Sequence, residues 1–529
     1  MGPGRRVSQN GEVFDLLVRG GWVYDGTGAP AQRADVGISA GRVAAIGRLD
    51  HTAAGTAIDA TGRYVLPGFV DAHNHADAAV LDPAVAHATL RQGVTTLVLG
   101  QDGLSYAPSS DAAHAFVRRY FAAINGSHPE LDPSGVTVAQ LRATWHHRTA
   151  VNTAYLVPHA TVRYTAMGGA ARTAEPAELA AMRAAVERGL ADGAVGLSTG
   201  LEYLPGRYAD VTELEQLCRP VAAAGLPYVT HMRGYGVNAP GGAAEAREIG
   251  LAARVAVHIS HYHGPGELLA SIVDSYREEG LDLTFDTYPY RRSCTILAMA
   301  ALPRWLDDTD LDTVVAALAE PTVRATVTAG LNPDLLGRIT LAHVPAREWS
   351  WAEGLALTEV AARVDRPESA VLIDLLLETK LAVSAVIAQP PTTDHEALRH
   401  LLRHPCHVGG SDGIYIGGHP HPRGWGTFAR YLGRHVRDLG DWSWSEAAVH
   451  LAAHPARRYG LTDRGLLRPG SAADLAVVDP LRVADRATYA QPMALAEGID
   501  DVVVNGVPVL RAGELTGALS GAALAPVTA

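Results

Sequence analysis

Two histidines one residue apart, in Asp71-Ala72-His73-Asn74-His75, close an apolar run that begins at Tyr64. In extended chain, residues two apart share a face, so both imidazoles can reach one ion. Other apolar runs end in residues of the same kind: Gly100-Gln101-Asp102-Gly103, then His231, then His261, then Ser411-Asp412-Gly413. Four histidines and two carboxylates make a ligand set for a borderline divalent metal such as zinc. Such an ion lowers the pKa of a bound water to roughly 7 and polarises a carbonyl, which suits hydrolysis of an amide. Asp412 would then accept the proton of that water and pass it to the leaving nitrogen. Taken singly, each residue has a plainer reading. A histidine at a strand end is commonly a hydrogen-bonded structural residue, His-x-His arises by chance among 23 histidines, and Ser-Asp-Gly is a turn signal. The reading rests on their recurrence, in order, at the ends of successive strands.

The elements that must position these residues follow from the hydrophobic pattern. Strands are predicted at 64–71, 95–100, 153–158, 193–198, 228–231, 255–261, 283–288 and 407–411, with helical stretches such as 176–192 and 211–224 between them. Eight strands separated by helices predict an α/β fold, a parallel (β/α)8 barrel of TIM type, whose chemistry sits at the C-terminal strand ends. Short β runs at 15–19, 22–25, 34–39, 42–46 and 57–59 return near the end at 474–478, 501–504 and 507–511, with Asn505-Gly506 as a hairpin turn. The two ends are therefore expected to pair in one small β-sandwich, residues 14–65 with 462–529, behind a flexible tail over 1–13. The barrel would span 66–461, with an insertion within about 298–405 that includes the apolar stretch 339–343.

Composition narrows the function. A net charge of −12 opposes nucleic-acid binding, which needs clustered cations. No apolar run reaches the roughly 20 residues of a membrane span. The start of the chain has no apolar signal-peptide core, so a cytoplasmic protein is expected. Cys218, Cys294 and Cys406 lack the spacing of a disulfide framework or a thiolate zinc site. No sequence pattern reports the oligomeric state.

The stretch Pro67-Gly68-Phe69-Val70-Asp71-Ala72-His73-Asn74-His75 resembles the first-strand signature of the amidohydrolase superfamily. Further stretches resemble the N-acyl-D-amino-acid deacylase, or D-aminoacylase, family: residues 193–203 (GAVGLSTGLEY), 230–233 (THMR), 259–261 (ISH), 288–290 (YPY), 410–413 (GSDG) and 420–428 (PHPRGWGTF). The likeness runs from Phe14 to about Leu519. It implies zinc-dependent hydrolysis of N-acyl-D-amino acids, small molecules carrying an amide and a carboxylate. It also implies one tight zinc on Asp102, His231 and His261, and a weaker second metal on His73, His75 and Asp412. Related amidohydrolases that cleave cyclic amides, such as hydantoinases and dihydropyrimidinases, or β-aspartyl dipeptides are the alternative; a non-catalytic relative is a third. Many of these bridge two metals with a carboxylated lysine ending the fourth strand. Here that strand ends Leu197-Ser198-Thr199-Gly200, and the only lysine is Lys380.

Two departures from the family stand out. The bridging segment, often Gly-Asn-Cys-Gly, is Gly100-Gln101-Asp102-Gly103, so a carboxylate replaces a thiolate as the bridge. The family's anchors for the substrate carboxylate are an arginine, a tyrosine, a lysine and a serine. Arg423 and Tyr288 match the first two, but His263 and Cys294 stand at the others. Arg291 and Arg292 are nearby cations that could compensate, although solvated arginines are the plainer reading.

Overall fold

The computed structural model describes residues 14–49, 54–131, 134–306, 308–391 and 393–527. The tail expected over 1–13 lies outside the described residues. Eight parallel strands form the centre: β1 Phe69–Asp71, β2 Val94–Leu99, β3 Asn152–Tyr155 continued by Val157–Pro158, β4 Leu197–Gly200, β5 Pro227–His231, β6 Ala256–Ile259, β7 Leu283–Asp286 and β8 His407–Val408. Each pairs in parallel with the next, from β1 through to β8. The ring closes where the Ala72 amide donates to Gly409 O at 3.0 Å and the Asp412 amide to His73 O at 2.8 Å. Val70, Val98, Ala154, Val229 and Val408 fill the interior, while their neighbours Phe69, Leu97, Leu99, Tyr155 and Tyr228 pack outward in the cluster shared with the helices. Apolar residues thus face both ways along these strands, as a sheet buried on both faces requires.

Both chain ends meet in one nine-stranded sheet. Tyr64–Pro67 pairs antiparallel with Leu475–Val478, so the N-terminal strands continue into Ile499–Val504 and Val507–Arg511. The sheet wraps around Leu16, Val18, Val36, Ile38, Leu475 and Val503. The run predicted as one strand over 64–71 is two elements. Tyr64–Pro67 belongs to this end sheet and Phe69–Asp71 to the barrel. The break falls at Gly68, where an added Cβ would come within 2.3 Å of the Thr95 Oγ1. The fourth strand also starts later than expected, at Leu197, because Gly193 (φ +94°) and Gly196 (φ +153°) interrupt the extended chain before it.

Between β7 and β8, the antiparallel strands Arg292–Ile296, Ser384–Ala388 and Ile339–His343 form a separate sheet. It has its own apolar cluster, including Leu318, Leu341, Val360, Leu372 and Leu376.

Asp474 fastens barrel and end sheet together. Its carboxylate accepts from the Asn505 amide at 2.6 Å and from Asn152 Nδ2 at 3.0 Å, and it pairs with the Arg464 guanidinium. Asn152 lies on β3 and Asn505 at the hairpin turn (φ +49°), so one buried carboxylate satisfies donors from both layers. Removing it strands a buried guanidinium and an amide. Asp474→Ala is therefore expected to cost about 3–5 kcal/mol, read as an earlier midpoint in urea or thermal unfolding; an unchanged midpoint would contradict this account.

Candidate active site

Asp102 is placed by backbone contacts. It sits in a single turn after β2 with a left-handed backbone (φ +56°), which is costly for a non-glycine residue. Gly100 (φ +75°) and Gly103 (φ +69°) flank it. A Cβ at Gly103 would lie 2.7 Å from Gly200 N, and one at Gly200 would lie 2.1 Å from Asp102 O. The end of β4 is therefore pressed against the turn. Ser198, on that strand, donates to Gly100 O at 2.5 Å and accepts from the Gly103 amide at 3.1 Å.

The result is a carboxylate between two histidine pairs. Asp102 Oδ1 and Oδ2 lie 3.6 and 3.7 Å from Nε2 of His73 and His75. They lie 3.4 Å from His231 Nδ1 and 3.7 Å from His261 Nε2. Two sets of donor atoms are compact enough for an ion, His73–His75–Asp102 and Asp102–His231–His261, and Asp102 belongs to both. Asp412 Oδ1 stands 3.3 Å from His75 Nε2 and 3.7 Å from His73 Nε2. Asp102 Oδ1 is buried without a hydrogen-bond donor. An orphaned carboxylate oxygen ringed by imidazole nitrogens fits a divalent cation of the zinc type.

The electrostatics point the same way. Burial would raise the Asp102 carboxyl, but the imidazoles of His231, His261 and His73 hold it well below the usual carboxylate range. Burial likewise opposes charge on His73 and His231. The carboxylates of Asp286, Asp102 and Asp412 around the first, and of Asp102 and Glu202 around the second, nevertheless raise these imidazoles to about 9 and about 10. Asp412 is ionised: burial works to raise it, and the Arg423 guanidinium at 2.9 Å, with His75, His73 and His261, brings it to about 2.

Several residues outside the expected set orient the ligands. Asp286, at the end of β7, accepts from the His261 amide at 2.9 Å, contacts His258 Nε2 at 2.9 Å and stands 3.5 Å from His73 Nδ1. Glu202 lies 3.1 Å from His231 Nε2, and Asn125 Oδ1 3.2 Å from His75 Nδ1. Asp71 accepts from the Ser411 amide and hydroxyl at 2.8 and 2.5 Å, which fixes the loop carrying Asp412. Asp71 and Glu202 stood within recognisable motifs; Asp286 and Asn125 carried no sequence signal.

The structure brings the expected substrate anchors together unevenly. A cavity of about 330 Å³ beside the ligands is lined by Tyr288, Cys294, His263, Asp102 and Asp412, among others. Arg423 lies behind that wall, fully buried, with its guanidinium 4.6 Å from the Tyr288 ring centroid. Its Nε and Nη1 are buried without acceptors. His263 stacks on Tyr235 at 4.9 Å and donates from Nδ1 to His261 O at 2.8 Å, leaving Nε2 as an acceptor. Desolvation pushes its imidazolium down to about 4, so it does not supply the charge of a lysine. Burial pushes the Cys294 thiol up to about 11. Arg291 and Arg292 border a different cavity, of about 590 Å³, and do not compensate within this one. Lys380 follows the helix Glu368–Glu378 of the inserted segment, outside the cavity wall.

The amidohydrolase family model matches residues 56–510. A D-aminoacylase of Alcaligenes xylosoxydans xylosoxydans is 35% identical over 528 residues, covering 98% of this chain and 99% of that one. The crystal structure of an N-acyl-D-glutamate deacylase from Bordetella bronchiseptica, complexed with zinc and a phosphonate mimic of the tetrahedral intermediate, superposes with a TM-score of 0.82. It is 31% identical and covers 98% of this chain and 100% of that one. A D-hydantoinase shares the fold at 16% identity, with a TM-score of 0.57 over 97% of this chain and 98% of that one.

Because Asp102 belongs to both ligand sets, its removal differs from removal of one histidine. Asp102→Ala is expected to abolish stoichiometric zinc after dialysis, whereas His73→Ala keeps the ion on Asp102, His231 and His261. Metal analysis of the two folded variants checks this; full zinc retention by Asp102→Ala would refute the shared ligand.

Proposed function

The chain belongs to the amidohydrolase family, and we propose that it releases D-amino acids from N-acyl-D-amino acids by metal-dependent hydrolysis of the amide bond. The observation that carries this reading is the convergence of four imidazoles on Asp102 beside the Asp412–Arg423 pair, with His75, His231, His261, Asp102 and Asp412 opening onto one cavity. The near full-length likeness to D-amino-acid deacylases supports it. Zinc is the metal the donor set suits best: His231, His261 and Asp102 form the tighter site, and His73 and His75 with Asp412 a second. A bound zinc supplies a Lewis acid for the amide carbonyl and makes water reactive near neutral pH.

The chain's own residues do the rest. Asp412, kept ionised by Arg423, takes a proton from the water that attacks the carbonyl carbon. As the C–N bond breaks, it delivers that proton to the leaving nitrogen. The acyl part departs as a carboxylic acid and the nitrogen as the amine of a D-amino acid. The substrate α-carboxylate, one carbon from that nitrogen, falls beside Tyr288 and Cys294 on the cavity wall, with Arg423 and its acceptor-free Nε and Nη1 immediately behind them. Asp286 holds His73 and His261 in place from behind, as outer partners of metal ligands do. No helix of the described residues is long and apolar enough to cross a membrane, and the three cysteines are free and buried, which supports a cytoplasmic setting.

The zinc-loaded protein, given paired N-acyl-D- and N-acyl-L-amino acids, is expected to release free amino acid from the D series. No release from either series would reject the reading. Asp412→Asn is expected to lower kcat by about 10²- to 10⁴-fold while zinc in the Asp102–His231–His261 site is retained, a separation that metal analysis and steady-state rates together test.

A further inference from the structure

The cavity bordered by Arg291 and Arg292 has no part in the scheme above. Three guanidinium groups line it, those of Arg291, Arg292 and Arg430, against a single carboxylate, that of Asp485. Arg430 is already engaged: Nη1 pairs with Asp485 Oδ2 at 2.9 Å, and Nε donates to Pro289 O at 2.9 Å. Among the described residues, neither Arg291 nor Arg292 has a carboxylate or carbonyl partner for its side chain. Burial, together with the guanidiniums of Arg291, Arg434 and Arg430, holds the His395 imidazole on the same wall below its ordinary range. With that imidazole neutral, the wall carries an excess of two positive charges in a chain whose net charge is −12.

Solvated arginines are the plain reading of such a pair, and two observations go against it. The surroundings of the pair are ordered. Arg292 lies 4.2 Å from the centroid of the Tyr489 ring, and Arg430 lies 4.8 Å from that of Tyr290. The Arg291 carbonyl accepts the Gln389 amide at 3.0 Å, and Arg292 pairs with Ala388 in the inserted sheet. The second observation is a donor without an acceptor. Tyr290 lines the cavity and is only 9% exposed, and its hydroxyl is buried with no hydrogen-bond partner.

A ligand for this wall must bring negative charge and several acceptors. A carboxylate offers a single charge, which one guanidinium fork satisfies. A phosphate near neutral pH carries close to two charges and three strong acceptor oxygens, a match for two unpaired guanidiniums and a phenol. We propose that this cavity binds a phosphate dianion, free or as a small monoester, on Arg291 and Arg292 with the Tyr290 hydroxyl as a further donor. At about 590 Å³, against about 330 Å³ for the catalytic cavity, it has room for an organic body as well as the ion. Gln389 lies on the wall of both cavities, so the anion is a neighbour of the catalytic site and not a ligand of its metal. The proposal does not depend on which amide the metal centre cleaves.

Calorimetric titration of the zinc-loaded protein, freed of excess metal, with inorganic phosphate and with phenyl phosphate at fixed ionic strength tests this. One equivalent is expected to bind with a Kd of about 1 mM or below, and the tighter of the two compounds tells whether the ion alone or its ester is the occupant. The double variant Arg291→Gln, Arg292→Gln should bind that compound about 10- to 100-fold more weakly. Arg292→Lys, which keeps the charge but not the fork, should fall in between. Arg338 is the only arginine or lysine among the described residues lining the catalytic cavity, and Arg338→Gln should bind as the wild type does. Unchanged thermal midpoints and full zinc content show that the variants are folded. An unweakened double variant, or a loss that appears in Arg338→Gln as well, puts the anion on the metal or in the catalytic cavity and overturns the proposal. Absence of binding by either compound at about 10 mM overturns it too.

Discussion

The rest of the site depends on a backbone contact, the approach of the β4 end to the turn after β2. Gly200 and Gly103 meet so closely that neither can carry a Cβ without moving the other segment. That contact, stitched by Ser198 to both sides of the turn, holds Asp102 in a left-handed conformation it would not choose alone. The strain is useful because it turns one carboxylate toward both histidine pairs. His73 with His75, and His231 with His261, come from opposite sides of the barrel and share no other described ligand set. Without a carboxylate at that point, the two pairs would be separate sites. The same backbone device recurs at His261 (φ +38°) and Asp412 (φ +50°). Three of the six expected ligands thus lie just past a strand end, in conformations the surrounding barrel imposes.

Charge is the second constraint. Asp102, Asp286 and Asp412 crowd into a buried volume where isolated carboxylates are costly. Each is compensated differently. Asp412 has Arg423, Asp286 has His258 and the His261 amide, and Asp102 has only imidazoles. Asp102 is therefore the carboxylate whose compensation comes entirely from imidazoles, and those are groups that give up their protons to a metal ion. The arginine that keeps Asp412 ionised also has Nε and Nη1 buried without acceptors, immediately behind Tyr288 and Cys294.

Much of this was legible in the sequence because it is local. Spacing put His73 and His75 on one face, and recurrence at successive strand ends placed them with His231, His261 and Asp412 on one rim. The pairing of the two chain ends followed from β runs at both termini and from Asn505-Gly506. What escaped was set by long-range contact. The run over 64–71 looked continuous, and only the Gly68–Thr95 approach divides it between two sheets. Asp286 ends an ordinary apolar strand, and its role exists only because His73 and His258 come from elsewhere in the ring. His263 could be read as a weakened stand-in for lysine, but a carbonyl on one nitrogen and a stacked tyrosine make it a neutral acceptor. Arg291 and Arg292 lie near the anchors in sequence yet border another cavity. Arg338 is distant in sequence yet lines the right one.

That last contrast separates chemistry from selectivity. The ligands and Asp412 sit at strand ends of a closed ring, where moving one displaces its neighbours through the shared ladder. Ser293 and Cys294 sit on the three-stranded inserted sheet, and Arg338 and Gln389 flank its other two strands. That sheet is nevertheless tied to the site, since Cys294 and Val386 pack with Leu104, Tyr203 and Ile414, and the Tyr203 hydroxyl lies 3.1 Å from Thr295 Oγ1. His263 and Cys294 belong to neither ligand set, so the residue type at those two positions does not change the donor atoms themselves. The ring thus fixes the ligands and Asp412, while the inserted sheet supplies Ser293 and Cys294 to the cavity wall, and the two meet through Tyr203, Ile414 and Arg423.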